Sequence, residues 1–270
     1  MDEARTSGPV RWPGDARSAA AITFDVDAEE VWIAQDPANA ARPGVLSQGT
    51  YGPKVGVPLI LEILARRDIQ ATFFVPGRVA ERHPNAVRAI VGSGHELAHH
   101  GYTHTSPTAL SPAAEEDELV RGLEILSSFG PSITGYRSPA WEFSEQTLPL
   151  LARHGFRYSS NLMDDIRPYR HGPAGIVELP VHWTLDDAPH FSFSGASWTK
   201  KIATVDEVRS IWADELAGLH QLGGSAILTM HPQVIGRPGR LRLLEETIAG
   251  LQSRPETFIG TCAQIAACVP

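Results

Sequence analysis

Ala20-Ala21-Ile22-Thr23-Phe24-Asp25-Val26-Asp27 is an apolar run that ends in two carboxylates. Unbroken apolarity, rather than strict alternation, marks a strand buried on both faces, as in a parallel sheet. Residues i and i+2 of a strand project to the same side, so Asp25 and Asp27 can enter one site. Similar runs occur at Ala71–Val75, Ile133–Tyr136, Ile176–Val181 and Ser225–Met230, with a late one at Thr257–Ile259. Helical patterns separate them. Leu59, Ile60, Ile63 and Leu64 give Val57–Arg67 an apolar face. Ser111 and Pro112 suit an N-cap and first helical position, followed by the acidic run Glu115–Glu118 and by Leu119, Val120, Leu123 and Leu126. Thr204 and Glu207 have capping-box spacing ahead of Val208, Ile211, Trp212, Leu216 and Leu219. Leu241, Leu244, Ile248 and Leu251 mark a final helix. Strand–helix alternation of this kind specifies an α/β barrel or a doubly wound sheet, and both gather chemistry at the carboxyl ends of the strands. Asp25 and Asp27, Gly77-Arg78, Arg137 and His231 each follow such a run.

The 270 residues contain no internal repeat or linker, so one domain over 1–270 is expected, with residues 1–18 as an N-terminal extension. A net charge of −8 argues against nucleic acid and anionic membranes as partners. No apolar run approaches the ~18–20 residues of a spanning helix, and Met1–Ala20 lacks an apolar leader core, so the expected address is cytoplasmic. Cys262 and Cys268 are too few for a disulfide framework and read as buried free thiols.

Three connections, Ala28–Gly56, Ser160–Gly175 and Thr184–Lys201, read as long and structureless. They carry Trp32, Tyr51, Tyr169, Trp183, Phe191, Phe193 and Trp198, which suit the walls of a substrate cleft or, equally, loops packed on their own aromatics or buried in a subunit contact. The segment Gly94–His104 holds His95, His99, His100 and His104. On a helical turn, positions i and i+4 share a face, so His100 and His104 can converge on one ion with an aspartate. His95 and His99 have the same spacing, and pattern alone does not choose between the pairs. Asp plus two His leaves a metal position open for water. Arg137 beside a carboxylate would hold it ionised and oriented, and His231 at a strand end has the chemistry of a general acid. The paired acids Asp164/Asp165 and Asp186/Asp187 read as solvated turn residues, with paired catalytic carboxylates as the alternative.

The order of these features resembles the polysaccharide deacetylase family (NodB homology, carbohydrate esterase family 4). The resemblance rests on Thr23–Asp27, Ala71–Val75, Gly94-His95-Glu96 leading to His100 and His104, Arg137-x-Pro139 with Trp141, and the run ending in His231. It implies a deformed (β/α) barrel with about seven strands. Ser47–Gly52, Trp141–Ser144, Leu179–Asp187 and His231-Pro232 with Gly236–Pro238 resemble a cytoplasmic subgroup that includes peptidoglycan-deacetylase-like enzymes, allantoinases and cyclic-imide hydrolases.

By that resemblance Asp25 is the base, Asp27, His100 and His104 are metal ligands, Arg137 orients the base and His231 is the acid. The stretch around Trp141 would supply a backbone donor to the oxyanion, and Trp141 and Trp183 would contact substrate. The expected cofactor is a divalent metal, zinc given two nitrogens and one oxygen; no residue is assigned to an organic cofactor. The expected activity is hydrolysis of a non-peptide C–N bond, with deacetylation of an N-acetyl amino sugar ahead of opening of a cyclic imide or allantoin-type amide. An inactive saccharide-binding barrel is the remote alternative. A homo-oligomer is expected. Two departures from the family pattern stand out: Val26 separates the aspartates, and Gly101 replaces the usual hydroxyl residue after the first ligand histidine.

Overall fold

The computed structural model describes residues 10–172, 174–193 and 201–270. Its strands are β1 (Ser18–Asp25), β2 (Thr72–Val75), β3 (Glu96–His99), β4 (Gly135–Tyr136), β5 (Tyr158–Ser159), β6 (Tyr169–Arg170), β7 (Val177–Glu178), β8 (Ser225–Met230) and β9 (Thr257–Ile259). They form one sheet in the order β6-β7-β5-β4-β3-β2-β1-β8, with β9 paired to β1 off that path. All pairings are parallel except β6 with β7. This is the expected deformed α/β barrel, with its path of eight strands lengthened by the two-residue antiparallel β6. At the β8 end of that path a single parallel bridge joins Thr229 to Asp186, in the chain beyond β7. β1 is the hub. β8 takes one edge over Ala19–Phe24, while β9 and β2 share the other, at Ser18–Ala20 and Thr23–Asp25.

Every residue of β1 is buried, as its unbroken apolarity requires. Ala20, Ile22, Phe24 and Val26 join the core beneath the helices, while Ala19 and Ala21 face the barrel interior. The small side chains of Ala19, Ala21 and Ala98 leave space there for Phe74, Tyr158 and the short helix Cys262–Ala266. Both cysteines are free; Cys262 is buried and Cys268 partly so.

The apolar runs expected to be strands are strands; β3, β5 and β6 had no such signal. β5 and β6 are two residues long, and β3 is framed by Glu96 and His99. The helices at Val57–Arg66, Pro112–Ser127, Val205–Leu222 and Pro238–Ser253 follow the periodicity, and Ser111 and Thr204 cap as expected. Ile211 departs from the inward face and is 38% exposed.

The expectation of a structureless Ala28–Gly56 is wrong. That segment is almost wholly helical: Glu30–Gln35, Pro37–Ala41, Pro43–Tyr51 and a π turn at Gly52–Gly56 that runs into Val57–Arg66. Pro37, Pro43 and Pro53 sit at helix starts, where their missing N–H costs nothing, and Asp36 accepts from the Ala38 N–H at 2.9 Å. Two glycines dock this arm on the strand ends. A Cβ on Gly49 would lie 2.3 Å from the Ala28 carbonyl oxygen, and one on Gly56 would lie 2.2 Å from that of Pro232. Ser160–Gly175 contains β6. Thr184–Lys201 enters a 3-10 turn (Trp183–Leu185) and a short helix (Ala188–Phe191); Trp198 lies outside the described residues. Tyr169 and Phe191 are buried, which fits loops packed on their own aromatics rather than open cleft walls. Among the described residues no helix is long and apolar enough to cross a membrane.

Gly56→Ala should destabilise the fold by about 1–3 kcal/mol, because backbone, not a flexible side chain, blocks the new methyl. Gly250→Ala, in the open interior of helix Pro238–Ser253, should stabilise it by about 0.5–1 kcal/mol. Urea midpoints of the two variants check both signs.

Candidate active site

Asp25 closes β1, and the Val26 N–H donates to the Phe74 carbonyl at 2.8 Å, carrying the extended chain to Asp27. Both carboxylates are 2% exposed. Ala28 then turns the chain away through a left-handed backbone (φ 48°). His100 follows β3, its N–H bonded to the Val75 carbonyl. His104 does not share a helical turn with it, contrary to the spacing argument. The two are joined by a loop in which Gly101 (φ 74°) and His104 (φ 60°) are left-handed, and this fold-back sets the ring centroids 5.1 Å apart.

The rival pair falls away. His99 is fully buried; its Nδ1 accepts from the Gly101 N–H at 3.0 Å, so Nε2 donates to the Leu119 carbonyl at 3.0 Å. Burial pushes its pKa down to about 3, and it stays neutral. His95 accepts from the Ala71 N–H.

His100 Nε2 and His104 Nε2 lie 3.3 and 3.5 Å from Asp27 Oδ1. That oxygen is buried and receives no hydrogen bond. His100 Nδ1 donates to the Arg137 carbonyl at 2.7 Å, which in the neutral ring leaves the Nε2 lone pair facing the carboxylate. A buried oxygen without a hydrogen bond, facing two imidazole nitrogens, is an arrangement that a cation between them would satisfy. A tetrahedral zinc site with bonds near 2.0–2.1 Å sets its ligand atoms ~3.3 Å apart, so this trio fits a divalent ion. Burial opposes the Asp27 charge, but His104, His100 and His231 hold its carboxyl well below the usual range.

Arg137 follows β4 and is fully buried. Its guanidinium crosses the interior, donating to Asp25 Oδ1 at 2.7 Å, Thr23 Oγ1 at 2.9 Å, and the carbonyl and hydroxyl of Ser160 at 3.2 and 2.9 Å, over the face of Phe74. His231 follows β8 with Nε2 3.6 Å from Asp27 Oδ2. Its Nδ1 lies 2.6 Å from Asp187 Oδ1, and its N–H donates to Asp187 Oδ2 at 3.0 Å.

The reading of Asp186 and Asp187 as solvated turn residues is therefore wrong: they are 3% and 0% exposed. Burial raises the pKa of both, Asp186 to about 7. Burial disfavours a charged His231, yet Asp187 and Asp186 together raise its pKa well above normal. Asp165 does serve a turn, accepting from the Ile166 and Arg167 N–H groups, and Asp164 accepts from the Tyr169 hydroxyl.

Trp141, 5% exposed, stacks on Trp183, 43% exposed, with centroids 4.2 Å apart. Ala140 and Trp141 are both left-handed (φ 58° each). Within that turn Ser138 N–H is bound by Asn161 Oδ1 and Trp141 N–H by the Ser138 carbonyl. Pro139 has no N–H, so Ala140 carries the one free backbone donor of residues 138–141.

The family model for polysaccharide deacetylase matches residues 50–159. A peptidoglycan deacetylase of Helicobacter pylori is 30% identical over 84% of this chain and 88% of its own. The crystal structure of a Mycobacterium smegmatis protein described as a polysaccharide deacetylase superposes with a TM-score of 0.94 at 42% identity, covering 99% of this chain and 95% of that one. The Puue allantoinase structure shares the fold, with a TM-score of 0.81 at 24% identity over 97% of this chain and 94% of that one.

Arg137→Ala would leave Asp25 buried without its ion-pair partner and should destabilise the fold by about 3–5 kcal/mol. Chemical denaturation against the parent measures this; a loss under ~1 kcal/mol would show that the pair is not holding the interior together.

Proposed function

The chain belongs to the polysaccharide deacetylase family, and from that premise we propose that it is a metal-dependent hydrolase of a non-peptide amide, removing N-acetyl groups from an amino sugar or glycan. The observation that carries this reading is the orphaned Asp27 Oδ1 facing His100 and His104, with Asp25 and His231 to either side.

Asp27, His100 and His104 would hold the ion. When bound, such an ion supplies Lewis acidity, polarising an amide carbonyl and acidifying water. The remaining steps belong to the protein. Asp25, fixed by Arg137 on Oδ1, has its Oδ2 3.9 Å from His100 Nε2, at the edge of the ligand trio. From there it takes the proton of the attacking water as oxygen adds to the carbonyl carbon. The Ala140 N–H is the backbone donor available to the developing oxyanion. His231, its Nδ1 engaged by Asp187, presents Nε2 to the scissile nitrogen and protonates it as the C–N bond breaks. Acetate and a free amine leave. The exposed face of Trp183, backed by Trp141, offers a flat apolar wall for a sugar ring.

Saccharide substrate is preferred because the peptidoglycan deacetylase relative spans nearly the whole chain. The purified protein should release acetate from N-acetylglucosamine oligomers in the presence of zinc. Ring opening of a cyclic imide without acetate release would overturn the substrate assignment; failure on both, with no metal bound, would favour an inactive barrel. Asp27→Ala should lose stoichiometric metal and turnover together, and His231→Ala should cut kcat by about 10²–10⁴-fold while retaining metal.

A further inference from the structure

His100 and His104 are oriented by different means. His100 is aimed by its own Nδ1–H, which donates to the Arg137 carbonyl. For His104 Nδ1, no hydrogen-bond partner occurs among the described residues. Ligand histidines normally have their second ring nitrogen tied down. The aim of His104 therefore falls to its backbone, which is left-handed at a non-glycine residue (φ 60°) and disfavoured unless its surroundings hold it.

Those surroundings converge on one side chain. Glu118 Oε2 accepts from the Tyr102 N–H at 3.0 Å and the Thr103 N–H at 2.8 Å, and Oε1 accepts from the Thr103 hydroxyl at 2.8 Å. Thr103 Oγ1 has one proton and gives it to Glu118, so the 2.8 Å contact with Thr105 Oγ1 must be donated by Thr105. The hydroxyl chain thus straddles His104. On the opposite edge the Gly77 and Arg78 N–H groups donate to the carbonyls of Gly101 and Tyr102, both at 3.0 Å. Gly122 lets the Glu118 helix come this near: a Cβ there would lie 2.4 Å from His99 Nε2.

We infer that Glu118 is a positioning residue for the metal loop, a carboxylate clasp on Tyr102 and Thr103 that sets the reach and aim of His104. This rests on the metal site proposed above. It also accounts for Gly101 at a position where the resemblance leads one to expect a hydroxyl, since the bracing comes from the neighbouring helix.

The test is zinc affinity of the full chain by chelator competition, with thermal unfolding of each metal-free protein alongside. Glu118→Ala should weaken zinc binding by about 10–100-fold. Glu118→Gln keeps an oxygen able to accept both backbone N–H groups and should stay within about threefold of the parent. If Glu118→Ala does not fold, Glu118→Asp, too short to span both bonds, takes its place with the same expected loss. Parent-like affinity in the Ala or Asp variant, or equal weakening in the Gln variant, overturns the inference. A parent that binds no zinc instead removes the metal reading itself, and this inference with it.

Discussion

Among the described residues Arg137 is the one fully buried arginine or lysine, set in an interior of aliphatic and aromatic side chains, and most of the site is hung from it. It rises from the end of β4 and reaches β1 across the interior, touching Thr23 and Asp25 on one side and Ser160 on the other. Buried charge is expensive unless every donor is used and the partner charge is close. Here Nε and both terminal nitrogens have acceptors, and an aromatic face covers the plane. The backbone of the same residue does a second job, because its carbonyl sets the tautomer of His100. Asp25 and His100 are thereby located by a single residue.

Asp187 and His231, on the far side of the site, depend on how the sheet fails to close. On the outer edge of β8 the ladder is reduced to one bridge, and the residues that make it, Asp186 and Thr229, lie beside Asp187 and two residues before His231. The Asp187 N–H completes the bridge by donating to the Thr229 carbonyl at 3.1 Å. A barrel seam and an Asp–His pair are thus one structure, and the carboxylate that raises the basicity of His231 is delivered by the same backbone that makes the bridge.

Much of this was legible because strand ends leave a mark. Asp25, Asp27, Arg137 and His231 stand where apolar runs stop, and the α/β class follows from those runs. What stayed hidden had no periodicity to betray it. Asp187 is one of two adjacent acids, which alone look like a turn; only the seam shows that both are buried. The arm from Ala28 to Gly56 is cut by Pro37, Pro43 and Pro53 into helices too short for an apolar stripe to register, so its prolines read as loop punctuation rather than as starts. The histidine pair was found through a spacing rule for helices and is brought together by two left-handed residues instead, a conformation only Gly101 advertises. Glu118 was legible as the last acid of the run Glu115–Glu118 near the start of its helix, but its partners lie 15 and 16 residues back along the chain.

β1 also imposes an order on assembly. It carries both aspartates, yet one edge is completed by β8 and the lower half of the other by β9, with Thr23 bonded to a carbonyl 205 residues away. Loop closure on that scale is slow, and the strand edges left open meanwhile are prone to wrong pairings. During synthesis β1 has nothing to pair against on its β8 edge until Leu228, 205 residues beyond Thr23, has been made. A buried strand whose edge stays open over that stretch of synthesis is exposed to wrong pairings with other chains, a risk set by the topology rather than by any single residue.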